Sequence, residues 1–202
     1  MSHKEKPIRL LVGLGNPEDK YLATRHNVGF WYIDRLAEKH VITLKHEARF
    51  HSLLGKGLID GHSVWLQKPL TYMNHSGRAV AALVNYYKIA VDEILVAHDD
   101  LDLPAGTVKL KKGGGHGGHN GLRDIIACLG SRDFVRLRIG IGHPGHKSQV
   151  LNWVLSKPAS DDRIAIEQAI ERAVEVTPLL VQGKLSQATT CLHSNNPDTA
   201  RK

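Results

Sequence analysis

Apolar residues recur along this chain in two alternating periods, and the alternation predicts the elements. Ile8 to Leu14 is apolar apart from Arg9 and a glycine, which reads as a buried central strand. Phe30, Ile33, Ala37 and His40 then fall on one helical stripe, with Thr24 or Asn27 as the expected N-cap. Phe50–Ile59 and Val64–Leu66 flank Asp60-Gly61, a hairpin signal. Val80, Leu83, Val84 and Tyr87 predict a second helix, capped by Asn74 or Ser76. Ile94 to Ala97 is a short apolar strand that ends in His98-Asp99-Asp100, and Thr107 to Lys111 alternates apolar and basic residues. Leu122, Ile125, Ile126 and Leu129 mark a third helix. From Phe134 to Ile141 the chain alternates again, with Val135, Leu137, Ile139 and Ile141 on one face and Arg136, Arg138 and Gly140 on the other.

Ser148 to Leu155 is a short apolar segment expected to act as a flap, after the turn Gly142-His143-Pro144-Gly145-His146. A long helix follows, with Ile164, Ile166, Ala169, Ile170 and Val174 apolar and Ser160 or Asp161 as cap. Pro178 should kink or end it, and Gly183 terminates the pattern. Leu185 to His193 is a last short helix, before a polar tail, residues 194–202, expected to be frayed. Strands interleaved with helices argue for one α/β domain over residues 1–193, its sheet mixed because of the hairpin.

Composition narrows the class only slightly. The 202 residues suffice for one domain with a real core, and 42% apolar content with 23% charge is ordinary for a globular protein. The net charge of +7 favours an anionic partner, most plausibly nucleic acid, over a basic enzyme of a small substrate. Cys128 and Cys191 are the only cysteines and form no Cys-x-x-Cys, so a reducing cytoplasm is expected. The first apolar run is too short for a signal peptide, and no run approaches a membrane span of ~20 residues.

Candidate chemistry gathers at strand ends. Gly113-Gly114-Gly115-His116-Gly117-Gly118-His119-Asn120-Gly121 opens the third helix, and so many glycines imply close backbone approach or unusual conformations. No Lys-Ser or Lys-Thr follows, so it is not a Walker A loop. Gly13-Leu14-Gly15-Asn16-Pro17 begins like a dinucleotide fingerprint, but Glu18 stands where a third glycine belongs. What remains is a tight turn placing Asn16 at the carboxyl end of a strand, where open α/β sheets bind ligands. His26 lies near a helix start, where the helix dipole disfavours imidazolium and helps keep the ring neutral and able to act as a base. Two rival classes stay open: a metallohydrolase using His98, Asp99, His116 and His119, and an RNA-binding module without catalysis.

Six motifs, GLGNP, TRHNVGF, YMNHSG, AHDDLDLP, GGGHGGHNGLRDI and RLRIGIGHP, occur in one order. Together they resemble bacterial peptidyl-tRNA hydrolase from about Arg9 to Trp153, with a looser helical match to His193. The resemblance implies a monomeric, single-domain, three-layer α/β/α enzyme with a central mixed, mostly parallel sheet. It implies hydrolysis of the ester between a peptide and its tRNA, with no metal and no cofactor, recycling tRNA for translation. His26 is similar to the family's catalytic base, Asp99 to the carboxylate that orients it, and Asn16, Asn74 and Asn120 to its substrate- and water-positioning asparagines. Tyr21 and Tyr72 resemble contacts to the tRNA acceptor, with Met73 a candidate platform and His119 beside Asn120 in the cleft. Lys109, Lys111 and Arg138 resemble residues that hold tRNA phosphate. Three positions depart from the family pattern: Tyr72 where Phe is common, His75 where an uncharged residue is usual, and Asp100 where Glu is common.

Overall fold

The computed structural model describes residues 5–197. In chain order the elements are β1 (Leu10–Gly13), α1 (Val28–Lys39), β2 (Lys45–Glu47), β3 (Ser52–Ile59), β4 (His62–Pro69), α2 (Ser76–Tyr87), β5 (Ile94–Asp100), β6 (Val108–Lys112), α3 (Asn120–Leu129), β7 (Val135–Gly140), α4 (Val150–Val154), α5 (Ser160–Val181) and α6 (Leu185–Ser194). The described strands form one seven-stranded sheet in the order β2-β3-β4-β1-β5-β7-β6. Three of the six pairings are parallel, β1 with β4, β1 with β5 and β5 with β7, and they make the centre. The antiparallel pairings lie towards the edges: the hairpin β3–β4 with β2 beside it, and β6 against β7.

The near-continuous apolar runs of β1 and β5 follow from burial on both faces. Leu10, Val12, Ile94 and Val96 pack under α2 and α3, whereas Leu11, Leu95 and Ala97 pack under α1, α5 and α6. These two cores give the three layers. The edges are protected differently. Along β2, Lys45, His46 and Glu47 are all exposed, and charge there discourages further strand pairing. Along β6, side chains close the open row. Asn196 Oδ1 accepts the Val108 N–H at 3.0 Å, its Nδ2 donates to the Val108 carbonyl at 2.8 Å, and His193 Nε2 accepts the Leu110 N–H at 3.0 Å.

Several sequence expectations need correction. Asn27 and His75 occupy the N-cap positions of α1 and α2, and neither side chain makes a capping bond. Thr24 Oγ1 donates to the Tyr21 carbonyl and Ser76 Oγ to the Met73 carbonyl instead. Helix α5 already includes Ser160, with Ala159 at its N-cap. Pro178 does not end it. The helix runs on to Val181 because Val176, Thr177, Leu180 and Val181 are buried on either side, and that burial outweighs a missing N–H. The tail does not fray from its first residue, since Asn196 is buried against β6; residues 198–202 lie outside the described residues.

One close approach sets the position of α1. A Cβ at Gly13 would collide with the Gly29 carbonyl, and a Cβ at Gly29 with the Ala97 carbonyl. The first turn of α1 therefore rests directly on the ends of β1 and β5. Gly29→Ala should lower the stability to urea unfolding by about 1–3 kcal/mol, the usual cost of overpacking, and should also lower turnover. Wild-type stability and turnover in that variant would show that α1 has room to move.

Candidate active site

Asp99, the penultimate residue of β5, carries a carboxylate and is only 4% exposed. A buried carboxylate needs donors, and two imidazoles supply them. His26, on the 3-10 turn Arg25–Asn27 just ahead of α1, brings Nδ1 to 2.9 and 3.0 Å from the two Asp99 oxygens. His119, at the N-cap of α3, brings Nε2 to 2.9 Å from Asp99 Oδ1. The two rings lie 5.1 Å apart.

Hydrogen bonding assigns different work to these rings. His119 Nδ1 accepts the N–H groups of Gly121 at 3.1 Å and Leu122 at 3.3 Å, so its proton must sit on Nε2, pointing at Asp99. Protonating Nδ1 would break the cap of α3. His26 has given Nδ1–H to Asp99, which leaves Nε2 as the nitrogen available to a reacting group. His98 is bound elsewhere: its Nδ1 donates to the Asp99 backbone carbonyl at 2.8 Å, and its ring meets that of His119 edge-on at 5.2 Å.

Electrostatics follow this wiring. Burial penalises charge on both His26 and Asp99, but their mutual attraction and hydrogen bond prevail. The His26 value is raised above that of a free imidazole, and the Asp99 carboxyl, facing His26 and His119, is held far below the usual carboxylate range. The expectation that the helix terminus sets the charge of His26 is thus corrected, because the carboxylate is nearer and wins. Burial, then the neighbouring His119, pushes His98 down to about 4, which keeps it neutral.

The other candidates fall into three groups. Asn16 is buried, and its Oδ1 accepts the Met73 N–H at 2.9 Å, so only Nδ2 remains to face a substrate. Asn27 clamps the backbone of Asn16 on both sides, N–H to Oδ1 at 2.9 Å and Nδ2 to carbonyl at 2.9 Å. Asn27, one of the two expected caps, does stand at the N-cap of α1 but spends its side chain on Asn16; a pairing across eleven residues leaves no local signal. Met73 is itself core, buried with Leu14 and Leu122. Asn74 and Asn120 are exposed, Tyr21 is half-buried, and Tyr72 is exposed on a groove of about 360 Å³ shared with Glu18, His75 and Arg78.

The basic residues meet across the sheet. Lys109 lies opposite Arg138 and Lys111 opposite Arg136. Arg138 Nε is bonded to Asp100 Oδ2 at 2.6 Å, and the buried Arg136 donates to the Gly114 and Gly115 carbonyls, so it anchors the glycine-rich loop. Lys109 and Lys111 are left without an ion pair among the described residues. The expected flap is also anchored. Arg25 stacks 3.6 Å from the Trp153 ring and donates to the Trp153 carbonyl at 3.2 Å and to Ser156 Oγ at 2.6 Å.

The only candidate metal set among the described residues is His26, Asp99 and His119, whose ligand atoms lie within 4.8 Å of one another. His98 and His116, expected in such a set, do not join it: His116 Nδ1 accepts the Gly118 N–H at 3.0 Å. A metal would have to replace both protons that now bridge to Asp99.

The family model described as peptidyl-tRNA hydrolase matches residues 10–200. A peptidyl-tRNA hydrolase of Variovorax paradoxus is 54% identical over 190 residues, covering 94% of this chain and 90% of its own. One of Halorhodospira halophila is 52% identical, covering 96% and 100%. The crystal structure of peptidyl-tRNA hydrolase from Acinetobacter baumannii superposes with a TM-score of 0.93 at 49% identity, covering 98% and 100%.

The wiring around Asp99 makes a titration measurable. A folded value above the free-imidazole value of ~6.5 means that His26 stabilises the fold fully below that pH, and that this is lost as pH rises through the folded value. The Asp99 contribution has the opposite sign, present above ~3.9 and lost on acidification. By NMR, His26 should titrate above free imidazole in the wild type. In Asp99→Asn it should titrate below, because burial persists without the counter-charge. An unchanged His26 titration in Asp99→Asn would show that the carboxylate does not set it.

Proposed function

The chain belongs to the peptidyl-tRNA hydrolase family and hydrolyses peptidyl-tRNA, and we propose that His26 is the general base that activates the water. One observation carries this: of the two imidazoles on Asp99, His119 has both nitrogens committed and His26 keeps Nε2. Nε2 takes a proton as the water oxygen attacks the ester carbonyl carbon. The imidazolium formed is stabilised by Asp99, and returns the proton to the departing 3′ oxygen of the tRNA as the ester C–O bond breaks. Peptide acid and free tRNA leave, and the imidazole is neutral again.

The supporting roles follow from what each side chain has free. His119 acts on Asp99 rather than on substrate, donating a second N–H that holds the carboxylate oriented. Asn16 offers Nδ2 as a donor to a carbonyl, while its Oδ1 fixes Met73. Asn120 and Asn74, both exposed, are placed to hold water and peptide, while Tyr21 and Tyr72, whose hydroxyls are engaged by Lys20 and Glu18, offer their rings to the acceptor end. Lys109 and Lys111 hold phosphate, with Arg138 restrained by Asp100. Like charges paired across strands repel until an anion sits between them, which favours a phosphate ligand there. The site is built from one chain, which fits a monomer, and the free Cys128 and Cys191 fit a cytoplasmic protein. No described helix is long and apolar enough to cross a membrane.

Turnover on an N-acetylated aminoacyl-tRNA tests the mechanism. The rate should rise with pH through the His26 value, above ~6.5, because only the neutral ring is a base. Dialysis against a chelator should leave it intact. Loss on chelation with recovery in zinc would place a metal among His26, Asp99 and His119, and would overturn the imidazole-to-carboxylate proton wiring.

A further inference from the structure

A second concave surface lies at the C-terminal end of α2, against β2 and β3, at the sheet edge opposite β6. It is a groove of about 550 Å³. Its wall is aromatic. Trp65 and Tyr87 pack with ring centroids 4.5 Å apart at a tilt of 35°, Tyr86 meets Tyr87 edge-on at 4.8 Å, and Phe50 lies 5.6 Å from Tyr86. Its rim is cationic. The Arg49 guanidinium sits 4.1 Å from the Tyr86 ring and Lys56 Nζ 5.3 Å from the Trp65 ring, while Lys45 lines the groove from β2.

Two features separate this groove from an ordinary solvated surface. Among the described residues none of Lys45, Arg49 and Lys56 enters an ion pair, whereas Arg35, Lys39 and Arg163 are each held by a glutamate. Glu47 is the one acid in the lining, so the groove carries a net positive charge. Tyr86, moreover, is left 51% exposed beneath the guanidinium.

We propose that this groove binds an unpaired nucleotide of single-stranded RNA. The base stacks on the Tyr86 and Trp65 wall, and the adjoining phosphates take Arg49, Lys45 and Lys56. Ring faces flanked by unpaired cations suit this ligand because every base offers a π-face and every linkage an anion. An acidic peptide would use the cations and leave the rings idle. An apolar peptide would use the rings and bury the cations unpaired. The groove is distinct from the catalytic site: the twelve residues of α2 separate it from Met73 by roughly 18 Å. It is also distinct from Lys109 and Lys111, about 29 Å away across the sheet at ~4.8 Å per strand.

The test titrates the ¹⁵N-labelled full chain with hexauridylate at low salt and follows amide and indole resonances. Saturable shifts are expected at the Trp65 indole and at amides 45–56 and 86–87. Arg49→Glu should weaken that binding about tenfold, the order of one lost stacking or phosphate contact, and Lys111→Ala should leave these shifts in place. Turnover retained by Arg49→Glu on N-acetylated aminoacyl-tRNA confirms its fold, and the wild-type shifts stand as evidence without it. Shifts confined to residues 108–112 overturn the proposal, and so does equal saturation by hexaglutamate, which would make the groove a general anion or acidic-peptide site. Neither result bears on the role of His26.

Discussion

A carboxylate buried at the end of a central strand is the constraint on which the working end of this protein depends. Stripping water from Asp99 costs several kcal/mol unless donors replace it. His26 and His119 do so from two different elements, and each element is fixed by its own contacts. The turn bearing His26 is held by α1, whose Gly29 lies against the Ala97 carbonyl. The ring of His119 is held by the first N–H groups of α3. The charge that makes His26 a stronger base is therefore the same charge that knits α1, β5 and α3 together. Fold and reactivity share one interaction.

Apart from the exposed β2 and the short α4, the order of strands and helices was legible from the periods of the apolar residues, because two-sided burial leaves continuous runs in β1 and β5 and one-sided burial leaves stripes in the helices. The His26–Asp99 pair was legible through motif resemblance and a chemical argument about bases. What the sequence hid were polar partnerships made in three dimensions. Asn27 and Ser76 have the composition of caps, yet their side chains serve Asn16 and Met73, since a buried polar atom takes whichever partner the packed fold presents. The sequence places His119 in the cleft beside Asn120, but nothing local shows that both of its nitrogens are occupied. Pro178 was expected to kink or end its helix, and that the helix continues past it depends on burial on both sides, a tertiary fact.

The basic residues show the same division. Alternation in residues 107–111 and 134–141 gave the right faces, but only the register reveals that Lys109 faces Arg138 and Lys111 faces Arg136. Only the structure separates their roles. Arg136 is an anchor for the glycine-rich loop, Arg138 is half-committed to Asp100, and the lysines are the cations without an ion pair among the described residues. The positive charge of the chain is thus distributed between structural and ligand-facing work.

The claim that His26 and Asp99 act as one base is tested most directly by a double-mutant cycle on single-turnover hydrolysis of an N-acetylated aminoacyl-tRNA. His26→Ala should cost about 100-fold or more. Asp99→Asn should cost less, and the double variant should be no slower than His26→Ala alone, because removing the ring leaves the carboxylate nothing to orient. Losses that multiply in the double variant would contradict the account, for they would show that the two side chains contribute independently.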